Sequence, residues 1–253
     1  MAPLAVSALT VHTFLEALAY AVGFRVFLRE RRRLALPALG DADRSVAVGV
    51  GAIVGAAIGA KLAFWLDDPR AAFAHFPAWR HLLEGKSIVG ALLGGLIGVE
   101  CAKKLAGIAT SSGDAFVRPL AIGMMIGRVG CFLAGLPDHT YGKATTLPWG
   151  IDFGDDIRRH PTQLYEIAFL AAWLWILGRI APRLPRAGDR FVLFLGGYLL
   201  FRLSVDAIKP VPYPWLFGLS GIQLLCLAGL AYYLPKLPRI ARSLAARPHA
   251  LED

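Results

Sequence analysis

Apolar residues in this chain run in long blocks instead of alternating with polar ones. Blocks at about 4–28, 45–66, 87–109, 115–136, 162–182, 190–209 and 214–234 are each close to the roughly 20 residues needed to cross a ~30 Å hydrocarbon core. Short polar breaks separate them, and no block keeps the period of two that a barrel strand would show, so each is expected to be a helix. The expected fold is an all-α integral membrane protein of about seven transmembrane helices, organised as a single membrane-embedded domain over 1–253. No basic stretch precedes the first block and no small-residue cleavage site follows it, so it is expected to stay as a helix and not to be removed as a signal peptide.

Composition agrees with the pattern: 56% of the residues are hydrophobic and 18% are charged, against about 25% charged in soluble domains. The net charge of +9 sits in clusters at the ends of apolar blocks, as at Arg29, Arg31, Arg32 and Arg33. That placement favours anionic lipid head groups over nucleic acid as the partner. With the N-terminus outside, the inside segments hold fifteen Lys and Arg residues and the outside segments seven. The positive-inside rule therefore predicts an outside N-terminus, a cytoplasmic C-terminus and a basic cytoplasmic tail over 235–253. The longest outside connection, about 137–161, contains Asp138, His139, Trp149, Asp152, Asp155, Asp156, Arg159 and His160, and loops of that length usually have a function. Cys101, Cys131 and Cys226 show no CxxC spacing and no histidine nearby in sequence, so no metal, cofactor or disulfide is expected.

Ionisable residues inside or at the rim of apolar blocks cost several kcal/mol each unless paired or hydrated. Arg25, Lys61, Glu100 and Arg118 lie within reach of an interface and can extend their charges out of the lipid. Arg128 stands between Gly127 and Gly130, which leave its guanidinium room for a planar anion such as a phosphate. Arg202 and Asp206 are four apart, so on a helix they share a face and can pair. Together with Glu16 and Glu166 they carry more charge than packing requires, which points to a shared polar cavity. In the segment Arg159 to Glu166, Pro161 suits a helix start, and Gln163 and Glu166, three apart, face the same way. Capping and interfacial anchoring by Tyr165 would explain the same pattern. Glycines at 49, 51, 55, 59, 85, 90, 94 and 95 permit close helix packing or the close approach of a ligand.

At these residues the chain resembles the bacterial prolipoprotein diacylglyceryl transferase family. The likeness covers most of the chain and runs through Ala17 to Phe24, Gly59 to Leu62, Gly85 to Gly90, Gly127-Arg128-Val129-Gly130 with Gly135 and Gly142, Leu147 to Gly150, Arg159 to Glu166, and Phe201 to Asp206. The resemblance implies a seven-helix enzyme that moves a diacylglyceryl group from phosphatidylglycerol to the lipobox cysteine of a prolipoprotein, in the bacterial plasma (inner) membrane and without a cofactor. The family's two essential arginines fall on Arg128 and Arg202, and its functional carboxylates on Glu166 and Asp206. Three positions depart from the family pattern. Its histidine in Ser-Phe-His-Gly-Gly falls on Val89, its asparagine in Gly-Arg-x-Gly-Asn on Cys131, and its first-helix tyrosine on Glu16.

Displacement at a glycerol carbon with a phosphate ester leaving needs charge stabilisation on that phosphate and a base for the attacking thiol. The expected roles are phosphate binding for Arg128 and Arg202, orientation of Arg202 by Asp206, and glycerol positioning by Gln163. The expected base is Glu16, His160 or Glu166, since a carboxylate in a low-dielectric cavity accepts protons at useful pH. Tyr165, Gly127, Gly130, Gly135, Gly142, Lys86 and Ser87 complete the expected substrate-binding set. Three other functions stay open: a phosphatidylglycerol-dependent transferase with another acceptor, a non-catalytic lipid-binding protein, and a transporter.

Overall fold

A computed structural model of the chain describes residues 8–36, 39–74 and 85–245. The expected start of the first block at 4–7 and the end of the basic tail at 246–253 lie outside the described residues. Nine α-helices are described: α1 Ala8–Leu34, α2 Ala42–Asp67, α3 Pro69–Phe73, α4 Ile88–Leu105, α5 Val117–Ala134, α6 Thr162–Ile180, α7 Asp189–Val205, α8 Gly221–Tyr233 and α9 Leu237–Ala245. The chain divides into two compact units.

The first unit comprises Met1–Leu34, Ala115–Arg179 and Ala207–Pro210. In it α1 and α5 run antiparallel in close contact. A Cβ on Gly23 would lie 3.5 Å from Pro119 O, one on Gly123 3.3 Å from Ala19 O, and one on Gly130 3.1 Å from Leu15 Cβ. Small residues of this kind let helix backbones approach in lipid, where no hydrophobic force draws helices together. At the basic end of α1, Arg118 donates to Glu30 at 3.0 Å, and Phe27 packs on Phe116 with ring centroids 4.9 Å apart. These contacts explain how Arg118 is accommodated. The connection over 137–161 folds on itself. Strand β1 (Ile151–Asp152) pairs antiparallel with β2 (Arg158–Arg159), and Arg159 clamps Asp155 at 2.6 and 2.7 Å.

The second unit comprises Ala35–Asp114, Ile180–Asp206 and Val211–Asp253. Its centre is a seam between α2 and α4 in which six glycines interlock. A Cβ on Gly51, Gly55 or Gly59 would lie 2.5, 2.3 or 2.3 Å from the carbonyl oxygens of Gly98, Gly94 and Gly90. Helix packing, and not ligand approach, accounts for these glycines. Asp41 and Ser87 cap α2 and α4, accepting from Arg44 N and Gly90 N. Ser220 and Gln223 form a capping box at α8. Lys61 donates to Gly85 O at 2.6 Å. The tail begins as α9, which buries Ile240 and pairs Arg239 with Asp189 of α7.

Among the described residues, five helical stretches are long and apolar enough to cross a bilayer: Thr10–Leu34, Ala42–Asp67, Gly113–Ala134, Thr162–Arg183 and Asp189–Ile208. The expected blocks at 87–109 and 214–234 are helical as α4 and α8. However, α4 gathers Glu100, Lys103 and Lys104 near its end, and α8 has 13 residues, short of the roughly 20 that span a bilayer unaided.

Candidate active site

In the first unit, α5 carries Arg128 and α6 carries Glu166, and the two meet with Nε 2.9 Å from Oε2, the side chains 7% and 2% exposed. At that depth neither charge is tolerable without the other. Arg128 Nη1 also points at Cys131 Sγ, 3.8 Å away and one turn further along α5. One turn before Glu166, Gln163 is 1% exposed, and its Nε2 donates to Thr140 Oγ1 at 3.1 Å. Its Oε1 is buried with no hydrogen-bond partner among the described residues. Thr162 Oγ1 donates to Thr140 O at 2.6 Å, so the first turn of α6 and the loop after α5 are bound together.

The polar chain extends to α1. The Thr140 hydroxyl donates to Asp138 Oδ2, Asp138 Oδ1 lies 3.6 Å from His12 Nδ1, and His12 Nε2 lies 3.9 Å from Glu16 Oε2. Tyr20 OH donates to the other Glu16 oxygen at 3.1 Å. Cys131, which Arg128 reaches, is also hydrogen-bonded with Asp138, so Glu16, Gln163, Glu166 and Arg128 belong to one connected group. The sequence reading left His12 and Thr140 out of it. The one local signal was the i, i+4 spacing of His12 and Glu16 on a helix, since Asp138 and Thr140 reach the group only through the fold.

His160 and Tyr165 make a separate cluster in the same unit. His160 Nδ1 is 3.2 Å from Tyr165 OH, which accepts from Trp149 Nε1 at 2.8 Å. Gly142 lets the loop close here, because a Cβ on it would fall 2.7 Å from His160 Cβ. Gly135 ends α5 with φ 68°, and Gly127 faces open space. The hydrogen bond from Arg159 holds the Asp155 carboxyl below its usual range, and Asp155 in turn raises Arg159. In the second unit, Arg202 Nη2 and Asp206 Oδ1 pair at 2.8 Å, one turn apart and both buried. Val89, where the resembling family has histidine, is 1% exposed. Ser87 is engaged as the α4 cap, and Lys86 beside it is exposed.

Long apolar helices that carry buried arginine–carboxylate pairs fit a multi-pass membrane protein. The prolipoprotein diacylglyceryl transferase family matches residues 3–234, and the chain belongs to that family. A phosphatidylglycerol–prolipoprotein diacylglyceryl transferase of Nitratidesulfovibrio vulgaris is 36% identical over 78% of this chain and 77% of its own length. A protein of the same name from Solidesulfovibrio magneticus is 32% identical over 94% of each chain. Another from Methylococcus capsulatus is 34% identical, and this chain spans 62% of its length.

Proposed function

We propose that this chain carries out the reaction for which its relatives are named, moving a diacylglyceryl group from phosphatidylglycerol to the lipobox cysteine of a prolipoprotein. The observation that carries this reading beyond family membership is the Arg128–Glu166 pair with the unpartnered Gln163 Oε1 one turn away. A buried guanidinium suits a departing phosphate, and a buried amide oxygen suits a glycerol hydroxyl. In the reaction the acceptor sulfur forms a bond to the terminal glycerol carbon of the diacylglyceryl group. The bond from that carbon to phosphate oxygen breaks, and its electron pair leaves with glycerol phosphate.

Arg128 stabilises the charge that develops on the phosphate, and Glu166, as its partner, keeps the guanidinium aimed. Arg202, held by Asp206, is assigned phosphate binding by the family motif alone. The proton of the acceptor thiol goes to Glu16, which His12 adjoins. Glu166 is engaged as a counter-ion, and His160 is held in the Tyr165 cluster. Seven passes with the N-terminus outside, in the bacterial inner membrane, put the 137–161 loop on the side from which a secreted precursor arrives. Incubation in phosphatidylglycerol vesicles with a lipobox peptide tests the reading. The expected result is a diacylglyceryl mass gain on the peptide together with release of glycerol phosphate, both abolished by Arg128→Ala and kept by Arg70→Ala. Glycerol phosphate release without peptide gain would mean another acceptor, and wild-type turnover by Arg128→Ala would refute the phosphate role.

A further inference from the structure

A ring nitrogen of His12, Cys131 Sγ and a carboxylate oxygen of Asp138 all lie within 4.8 Å of one another. The three residues come from α1, α5 and the turn after α5, so no sequence spacing announces the cluster. We infer that they form a binding site for a divalent transition metal of the zinc class, with an open position that takes the acceptor thiol. The second half rests on the reaction proposed above.

The donor set is one imidazole, one thiolate and one carboxylate, which suits zinc with three protein ligands and a free fourth position. For metal–ligand bonds of ~2.0–2.3 Å, tetrahedral donors stand roughly 3–4 Å apart. His12 Nδ1 and Asp138 Oδ1 are already 3.6 Å apart. His12 Nδ1 is buried and makes no hydrogen bond among the described residues, which leaves its lone pair available.

The surroundings supply what such ligands need. A ligating histidine usually gives its other ring N–H to a carboxylate, and Glu16 Oε2 sits 3.9 Å from His12 Nε2. The Asp138 oxygen turned away from His12 accepts the Thr140 hydroxyl. Arg128 Nη1 lies 3.8 Å from Cys131 Sγ, so a guanidinium stands beside the ligand sulfur. A divalent ion held by one thiolate and one carboxylate has no net charge, so it tolerates a low-dielectric site. His12 and Asp138 keep side-chain exposures of 19% and 12%, enough for a fourth ligand to approach. A thiol that binds such an ion does so as the thiolate, its proton passing to Glu16, the base proposed above. In the loaded enzyme this activates the acceptor sulfur without the family's histidine, with Glu16 facing His12.

Cobalt(II) titration of full-length protein carrying Cys101→Ser and Cys226→Ser isolates Cys131 as the reporting thiol. The expected result is one equivalent bound with a thiolate-to-cobalt charge-transfer band. The band should be absent after Cys131→Ser, and the cobalt affinity should fall about 10–100-fold with Glu16→Gln. Adding a lipobox peptide should increase the band, and a peptide with serine in place of cysteine should not. No band in the parent protein, or a band that survives Cys131→Ser, overturns the metal site. A band that ignores the cysteine peptide overturns the acceptor position. If Cys131→Ser fails to fold, Asp138→Asn replaces it, and unchanged cobalt affinity there also overturns the site. Lipid transfer measured on the same preparation separates the two proposals. Full transfer by metal-stripped protein sinks the metal inference alone, and cobalt binding without transfer sinks the reaction alone.

Discussion

Gly59 and Gly94 face each other so closely that a Cβ built on either would lie 2.7 Å from the Cα of the other. The α2–α4 seam therefore has no room for a methyl group, while Gly95, one residue on, would place its Cβ 3.5 Å from the nearest atom. Gly94→Val should destabilise the protein by at least the ~1–3 kcal/mol typical of overpacking. Gly95→Ala should be neutral or slightly stabilising, because alanine is the better helix former. Thermal unfolding in detergent compares the two, and equal melting temperatures would contradict the seam.

Gln163→Leu removes the free amide oxygen assigned to the glycerol hydroxyl. One lost hydrogen bond is worth ~1 kcal/mol, so KM for phosphatidylglycerol should rise about 5–10-fold with a smaller change in kcat. Thr140→Val removes the support under the amide and leaves Oε1 present, so its effect on KM should be smaller. The reverse order would move the glycerol contact to Thr140.

The Asp155–Arg159 clamp gives the 137–161 loop a pH dependence of known sign. Asp155 has a lowered carboxyl pKa in the folded protein because Arg159 hydrogen-bonds it. The folded loop thus binds the proton less readily than the unfolded chain does. Its contribution is complete above the ordinary carboxylate range and is lost as the pH falls through the lowered value. Limited proteolysis of the 137–161 loop should accelerate over that acidic window, and Asp155→Asn should be equally susceptible at neutral and acidic pH.

Arg239 holds α9 against α7 through Asp189, whose side chain is 2% exposed. Arg239→Ala leaves that carboxylate buried without its partner, at a cost of about 1–3 kcal/mol. The tail should become protease-sensitive while lipid transfer continues. Asp189→Asn should be milder, because it removes the charge together with the need for a partner.

Much of the helical architecture was legible in the sequence because apolar blocks in lipid leave the backbone one solution. The Arg202–Asp206 pair was legible for a similar reason, since an i, i+4 spacing needs only one helix. Arg128 and Glu166 were each recognisable as buried charges, but nothing local says that they meet, as they lie on different helices. Cys131 illustrates the harder limit. Read along the chain it is a solitary thiol, and only the packing of α1 on α5 at Gly130 brings His12 to it. The lengths of α4 and α8 were overread because hydropathy does not show where a helix stops.

Over its most apolar stretch α1 has no buried residue, and it turns Phe14, Tyr20 and Phe24 outward. Yet the same helix carries His12 and Glu16. The polar chain therefore lies against one side of a helix, roughly 10 Å across, whose other side is apolar and exposed. In the reaction proposed above, a donor with two insoluble tails would arrive sideways, its head group sliding past a helix edge while its acyl chains stay in the lipid they came from.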